Sequence, residues 1–250
     1  MTEEKIVTAC LVIIGNEILS GRTQDANLAY LAKGLNSVGV RMREVRVIPD
    51  VCDTIVETIN EVRAKFDYVF TTGGIGPTHD DITGESIAKA FGVKHLLNAE
   101  AYNILAAHYT NPADFNPARQ RMAHIPEGAT LVYNPVSLAP GFQLGNVFVM
   151  AGVPKIMQAM FEGIKDRLSG ALPVLQRSVF CSLPEGVIAK GLEEIQHAHP
   201  DLDIGSYPTY GGPGPRVGLV VRGTSETEVG RAVEAVSKLV KSLGGEPVLE

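Results

Sequence analysis

A short apolar segment that breaks into glycines constrains the fold of this chain more than any other part of its sequence. Residues 68–72 (YVFTT) are typical of a buried parallel strand, and residues 73–77 (GGIGP) cannot continue it. Residues 82–88 then resemble the start of a helix. A strand, a glycine loop and a helix N-terminus in this order present free backbone N–H groups to an anion. The segment therefore predicts a phosphate site in an α/β fold, although such a loop can also be only a tight turn.

Two adjacent carboxylates, Asp80 and Asp81, follow the glycines. Bare carboxylates beside an anion loop would repel the ligand unless a cation lies between them. They therefore indicate a phosphate-bearing ligand bound together with a divalent metal ion such as Mg²⁺, Mn²⁺ or Co²⁺. His79 lies in the same loop and is a candidate base, metal ligand or phosphate donor.

Composition limits the classes of protein that this chain can belong to. Its 250 residues, 45% of them hydrophobic, suit one large α/β domain or a medium domain followed by a small one. The formal net charge of −6 gives no general attraction to nucleic acid or to an anionic membrane. The sequence has no apolar run long enough to cross a bilayer, its first residues lack signal-peptide features, and its three cysteines have no metal-type spacing. We therefore predict a cytoplasmic protein.

The rest of the first 170 residues alternates between predicted strands and helices. Strands are expected at residues 5–14, 40–48, 129–133 and 146–150, helices at residues 25–38, 53–65, 100–109 and 154–168, and a loop at residues 124–128. The loops that follow parallel strands meet at one edge of a sheet. Residues 15–22, 73–81, 134–141 and 151–155 are therefore predicted to build one site.

Polar residues near the first of these loops are open to two interpretations. Asn16 and Glu17 lie between two glycines, and each is either a ligand contact or a turn residue. Asn27, near the start of the next helix, either reaches the ligand or caps the helix.

The last 80 residues predict a separate small α+β domain, residues 171–250, after a linker-like segment at residues 169–173. Its elements are expected in the order strand, helix, strand, strand, helix, with a glycine- and proline-rich tip at residues 210–215. No catalytic group stands out there, and an interface role is predicted.

Four motifs in order resemble one known family. They are residues 15–21 (GNEILSG), residues 72–83 (TGGIGPTHDDIT), residues 134–142 (NPVSLAPGF) and residues 151–154 (AGVP). Together they resemble the CinA-type proteins of the molybdopterin-binding, MoaB/MogA-like superfamily over residues 5–168. The small C-terminal domain resembles the KH-like module that follows this domain in CinA proteins.

The resemblance implies a three-layer αβα fold, with a mostly parallel sheet, that binds a pterin or a nucleotide. CinA-type domains are associated with metal-dependent hydrolysis of dinucleotide pyrophosphates such as ADP-ribose, and a related domain fused to eukaryotic FAD synthase is associated with FAD hydrolysis. Other members of the superfamily adenylylate molybdopterin or insert molybdenum into it. Three hypotheses follow: a nucleotide pyrophosphatase, a protein that binds or adenylylates molybdopterin, and a binding module without activity. The resemblance also implies a homo-oligomer, a dimer or a trimer.

The loops and the resemblance together give the candidate site residues. The candidate catalytic residues are His79, Asp80 and Asp81, and the candidate metal ligands are Asp80, Asp81 and Glu17. The candidate phosphate and ligand contacts are Asn16, Asn27, Gly73, Gly74, Gly76, Thr78, Asn134, Ser137, Gly141 and Gly152.

The sequence departs from the family pattern in two of these loops. Ala151 stands where the family often has proline, and Ser137 stands where it often has glycine. Both changes alter loop shape. The sequence also ends without the deamidase domain of full-length CinA, so the deamidase activity is not expected.

Overall fold

The computed structural model describes residues 6–209 and 216–250 of the chain. It divides the chain into two compact units, Met1–Ala171 and Leu172–Glu250, each with its own hydrophobic core.

The elements of the first unit follow the predicted alternation of strands and helices. Its strands are β1 (Val7–Ile14), β2 (Val40–Ile48), β3 (Tyr68–Thr72), β4 (His95–Leu97), β5 (His124–Pro126), β6 (Thr130–Val132), β7 (Gly141–Leu144) and β8 (Val147–Met150). Its helices are α1 (Asn16–Leu19), α2 (Asn27–Ser37), α3 (Cys52–Lys65), α4 (Thr83–Phe91), α5 (Ala99–His108), α6 (Pro117–Gln120) and α7 (Pro154–Glu162).

The main sheet of this unit has six strands in the order β2-β1-β3-β8-β7-β6. The pairs β1–β2, β1–β3 and β3–β8 are parallel, whereas β7 is antiparallel to both of its neighbours. All strands of the sheet except β7 therefore run in one direction. The sheet is mostly parallel, as predicted.

Alternate residues of β1 explain the three layers, because they belong to two different cores. Cys10, Val12 and Ile14 pack on one side of the sheet with buried residues of α3, α4 and α5. Leu11 and Ile13 pack on the other side with buried residues of α2 and α7. A strand that is buried on both faces reads as a continuous apolar run, and helices cover both of its faces. The predicted three-layer αβα fold is confirmed.

The structure differs from the sequence prediction in three short elements. Residues 124–128 are predicted as a loop, but β5 pairs antiparallel with β4. Part of the predicted loop at residues 15–22 forms the single turn α1, and β7 begins at Gly141, where a loop is expected to end. Elements of three or four residues contain too little of any hydrophobic period to be recognised in a sequence.

The second unit has the predicted order of strand, helix, strand, strand and helix, followed by a short edge strand. Its elements are β9 (Leu175–Cys181), α8 (Glu185–Ala198), β10 (Asp203–Thr209), β11 (Arg216–Gly223), α9 (Glu226–Ser242) and β12 (Val248–Leu249). The sheet is antiparallel in the order β10-β11-β9-β12, and buried valines such as Val179, Val221 and Val236 join it to the helices. The predicted tip at residues 210–215 lies outside the described residues.

Among the residues that the structure describes, none of the helices combines the length and the apolar character that crossing a membrane requires.

Candidate functional site

The four predicted loops lie at the same edge of the main sheet. They follow β1, β3, β6 and β8, which run in one direction. The loops after β3 and β8 pack closely against each other. A Cβ atom added to Gly152 would lie only 3.3 Å from the Cα atom of Gly73. The loops border two separate cavities rather than one.

In the glycine loop after β3, a side chain at Gly73 or Gly74 would clash with neighbouring atoms. Gly73 and Gly74 have φ angles of 106° and 68°, in the region that favours glycine. A Cβ atom at Gly73 would lie 2.1 Å from the carbonyl oxygen of Ile14, and one at Gly74 would lie 2.1 Å from Oγ1 of Thr83. The Thr83 hydroxyl donates to the Gly73 carbonyl at 3.0 Å, and the Thr83 N–H donates to the Gly74 carbonyl at 3.0 Å. Thr83 thereby closes the loop onto the start of α4.

The larger cavity, which we call cavity A, lies beside this loop and measures about 210 Å³. Its lining combines the glycine loop, the first turn of α4, the β4–β5 pair and the end of the loop before β7. These residues are Gly74, Ile75, Gly76, Asp81, Gly84, Glu85, His95, Arg121, Met122, His124, Ile125, Pro140 and Phe142.

Helix α4 begins at cavity A with unpaired backbone donors. Ile82 stands at the N-cap position and gives no side-chain hydrogen bond to the helix. Within residues 6–209 and 216–250, the N–H groups of Gly84 and Glu85 have no hydrogen-bond acceptor. Because the helix dipole also places partial positive charge at this end, the first turn of α4 can bind an anion.

Asp81 lies on the glycine-loop side of cavity A and is held in place by Thr78. The Thr78 backbone N–H and hydroxyl donate to Oδ2 of Asp81 at 2.8 Å and 2.6 Å. Gly76 leaves room for this carboxylate, since a Cβ atom there would lie 2.6 Å from Oδ2. Asp80 and His79 are exposed and are not part of the cavity lining.

Besides Glu85 on α4, three ionisable residues of cavity A are absent from the sequence-based candidates: His95, Arg121 and His124. His95 and His124 lie on paired strands, with the Nε2 atom of His95 2.9 Å from the carbonyl oxygen of His124. Burial is the main cause that lowers the pKa of His95. These three residues lie up to 29 positions apart in the sequence, and no spacing links them.

A second cavity, cavity B, measures about 50 Å³ and contains other predicted residues. Glu17, Asn27 and Gly152 line it, together with Asp25 and Thr72. Asn27 donates to the Gly152 carbonyl at 2.8 Å through Nδ2. Its Oδ1 atom and the Thr72 hydroxyl are buried without a hydrogen-bond partner among the described residues. Two residues that line cavity B therefore each carry a buried oxygen atom that no group in the described part of the chain pairs with.

The predicted metal ligands do not come together in one cluster. Glu17 lines cavity B, whereas Asp81 lines cavity A. In the described part of the chain, no group of three or more His, Cys, Asp or Glu side chains could hold a metal ion. Mg²⁺ is commonly held by one or two carboxylates together with ligand phosphates and water. Asp81 and Glu85, which both line cavity A, fit a cation shared with a bound phosphate but do not make a complete metal site.

The side chain of Asn134 holds the loop at residues 134–141 through hydrogen bonds inside the loop. Its Oδ1 accepts from the N–H groups of Val136 and Ser137, and its Nδ2 donates to the Ser137 hydroxyl and the Ala139 carbonyl. The predicted ligand contact Asn134 therefore has no side-chain donor left for a ligand. Gly141 is buried inside β7, where a Cβ atom would lie 2.1 Å from the Val149 carbonyl oxygen.

The predicted contact Asn16 also has a local role. Its backbone N–H donates to Oδ2 of Asp50 at 2.9 Å, and the residue is exposed. This bond joins the loop after β1 to the loop after β2.

Two family models match the chain, one in each unit. Residues 10–170 match the model described as probable molybdopterin binding domain. Residues 173–244 match the model described as FAD synthase, middle domain.

Individual relatives are similar to this chain over most of its length. A protein from Archaeoglobus fulgidus is 35% identical over 92% of this chain and 96% of its own length. A CinA-like protein from Desulfosudis oleivorans is 32% identical over 78% of this chain, a stretch that covers 50% of the CinA-like protein. Among solved structures, the protein CinA with unknown function from Thermoplasma acidophilum is 34% identical with a TM-score of 0.60, and the match covers 64% of this chain and 96% of that one.

Proposed function

Since this chain belongs to the molybdopterin-binding domain family and is of the CinA type, we propose that it is a metal-dependent hydrolase of nucleotide pyrophosphates such as ADP-ribose or FAD. One observation carries the proposal: cavity A contains both the unpaired N–H groups at the start of α4 and the fixed carboxylate of Asp81. Anion-binding donors and an acidic group in one cavity suit a phosphate that binds with a cation.

The chain's own groups account for substrate binding. The N–H groups of Gly84 and Glu85 donate to the oxygens of one phosphate at the start of α4. Because these donors are fixed by the helix before the substrate arrives, they also stabilise negative charge that develops on the phosphorus oxygens during the reaction.

Asp81 and Glu85 are the residues that would hold the cation beside this phosphate. The chemistry that a divalent cation supplies there is neutralisation of the bridging oxygens and a lower pKa for an attacking water. Thr78 keeps one oxygen of Asp81 occupied, so the carboxylate presents Oδ1 in a fixed orientation. Asp80 and His79, exposed on the same loop, are candidates for orienting the water.

The second unit supports a nucleotide rather than another phosphate ester as the substrate. Its similarity to the middle domain of FAD synthase associates this kind of chain with an enzyme that handles a dinucleotide. An assay of the purified chain tests the proposal with ADP-ribose, FAD and NAD, each with Mg²⁺, Mn²⁺ or Co²⁺. Metal-dependent release of AMP by the wild type, and not by Asp81→Asn, is expected. Absence of AMP with all three substrates and all three metals would overturn the proposal.

A second candidate function is binding or adenylylation of molybdopterin, which the family description favours. At about 50 Å³ cavity B is too small for a pterin ring, so the unpaired Oδ1 of Asn27 and hydroxyl of Thr72 would accept hydrogen bonds only from a substituent at the edge of such a ligand. A pterin fluorescence that copurifies with the chain, and that Asn27→Leu removes, would support this function. A protein purified without pterin that also fails to bind added molybdopterin would exclude it.

A further inference from the structure

We infer that the wall of cavity A opposite the glycine loop is a second phosphate subsite, in which Arg121 selects diphosphate-bridged ligands over monophosphates. The inference deepens the proposed function and rests on it, because it assumes that the first phosphate binds at the start of α4. The side chains that carry it are Arg121, His124 and His95, none of which has a role in the mechanism above.

Arg121 is a positive charge without a partner. Its side chain lines cavity A and makes no hydrogen bond or ion pair among the residues that the structure describes. Arg22, Arg41 and Arg43 are also unpaired among the described residues but do not line cavity A, whereas Arg46 contacts Glu44 and Glu61, and Arg119 lies 4.6 Å from the centre of the Tyr109 ring. An arginine that faces a cavity unpaired is suited to binding a phosphate, with which its planar donors form paired hydrogen bonds.

His124 adds a second donor to this wall. Its Nδ1 atom is buried and has no hydrogen-bond partner in the described part of the chain. A proton on that nitrogen would be buried without an acceptor, so the neutral ring favours the tautomer that carries its proton on Nε2. In this tautomer His124 contributes an N–H donor.

His95 positions this wall against the start of α4. Its Nε2 atom contacts the His124 carbonyl oxygen at 2.9 Å, which ties β4 to β5. A Cβ atom added to Gly84 would lie 3.0 Å from the same Nε2 atom, so the glycine allows His95 to approach the helix. The two proposed phosphate subsites are therefore neighbours across one cavity.

The charged residues of cavity A are distributed over its two sides. Asp81 and Glu85 lie on the side of the glycine loop and α4, where a cation can offset them, and Arg121 lies with the two histidines on β4 and β5 or next to them. The cavity volume of about 210 Å³ corresponds to roughly seven water molecules at about 30 Å³ each. That space exceeds what one phosphate occupies, and a diphosphate spanning both sides would contact donors at each end.

The test is a calorimetric titration of the full chain with ADP-ribose, supplied as its non-hydrolysable α,β-methylene analogue so that turnover does not interfere, and with AMP, both in Mg²⁺. The wild type is expected to bind ADP-ribose at least tenfold more tightly than AMP. Arg121→Gln should lower the affinity for ADP-ribose about tenfold to a hundredfold, which is the range for losing a charged hydrogen bond, and change the affinity for AMP less than twofold. Arg121→Lys should recover part of the loss because it restores the charge.

Arg119→Gln is the matched control, since Arg119 stacks on Tyr109 outside the cavity lining, and it should leave both affinities unchanged. Equal melting temperatures of the Arg121 variants and the wild type would exclude unfolding as the cause. A preference for ADP-ribose that survives Arg121→Gln would overturn the inference and leave the proposed hydrolase intact. A wild type that binds the two ligands equally would also overturn it. An Arg121-dependent preference without any AMP release would support the subsite and count against hydrolysis.

Discussion

Thr78 donates two hydrogen bonds to a single oxygen of Asp81, one from its backbone N–H at 2.8 Å and one from its hydroxyl at 2.6 Å. The two bonds fix the carboxylate within a loop whose other residues, from Pro77 to Asp80, are exposed. Among the described residues, Oδ1 of Asp81 accepts no hydrogen bond. The pair thus prepares one oxygen at cavity A for a cation or a water.

Removing the Thr78 hydroxyl should loosen this carboxylate. In Thr78→Val the backbone donor remains, and we expect AMP release from ADP-ribose to fall about three- to tenfold, with a higher Mg²⁺ concentration needed for half-maximal rate. The measurement is a Mg²⁺ titration of the initial rate. Thr78→Ser keeps the hydroxyl and should behave as the wild type; an equal loss in both variants would contradict a role for the hydrogen bond.

Asp81 and its neighbour Asp80 should differ sharply, although the sequence alone treats them as equivalent. Asp81 lines cavity A and Asp80 does not, so Asp81→Asn should lower metal-dependent turnover by about 100-fold or more, whereas Asp80→Asn should have a smaller effect. Initial rates at saturating Mg²⁺ measure the difference. Both residues border the solvent, so both variants should melt within a few degrees of the wild type. Equal losses would show that the cavity lining does not identify the reacting carboxylate.

Gly76 provides a test of the loop that does not change any charge. A Cβ atom there would lie 2.6 Å from Oδ2 of Asp81, so Gly76→Ala should displace the carboxylate and lower turnover at least tenfold. The cost in the free energy of unfolding should stay near 1–2 kcal/mol, because the displaced atom ends a side chain rather than belonging to the backbone. Gly230→Ala is the control, since nothing lies within 4 Å of that position. Full activity in Gly76→Ala would contradict the role of the Asp81 carboxylate in turnover.

The sequence predicts the part of the site that lies on one continuous segment. The apolar run of β3, the glycines that follow it and Asp81 succeed one another in the chain, and their order already indicates an anion loop. The fold is predictable for a similar reason, because β1 is apolar at consecutive positions and the helices α2, α3 and α7 keep apolar residues at helical spacing.

The opposite wall of cavity A could not be predicted, because it depends on a long-range pairing of two strands of three residues each. Only that pairing brings His95 close to His124, and nothing in their spacing reveals it. The sequence also cannot distinguish a ligand contact from a loop bond: Asn134 uses all its side-chain hydrogen bonds inside its own loop, and Glu17 lines cavity B, away from Asp81.

Cys10 should resist alkylation in the folded protein. Cys10 belongs to β1 and its side chain lies within the core, and burial is the main cause that raises the pKa of its thiol to about 11. At pH 8 a thiol with that pKa is about 0.1% thiolate, which is the reactive form. Cys52 is only half-buried and should react with iodoacetamide first. Mass spectrometry of peptides from native and denatured protein measures both sites, and equal labelling of Cys10 and Cys52 in the native protein would contradict the buried position of Cys10.

The most direct test of the proposed hydrolase is turnover of ADP-ribose in ¹⁸O-labelled water, with Mg²⁺ and again with excess EDTA. Hydrolysis at cavity A predicts AMP and ribose 5-phosphate with one ¹⁸O atom in one of the two products per turnover, only when Mg²⁺ is present and Asp81 is intact. EDTA should abolish the reaction without lowering the melting temperature, because the described residues form no metal cluster of three or more ligands. Unlabelled products, labelled products that persist in EDTA or with Asp81→Asn, or no products at all would contradict the proposal.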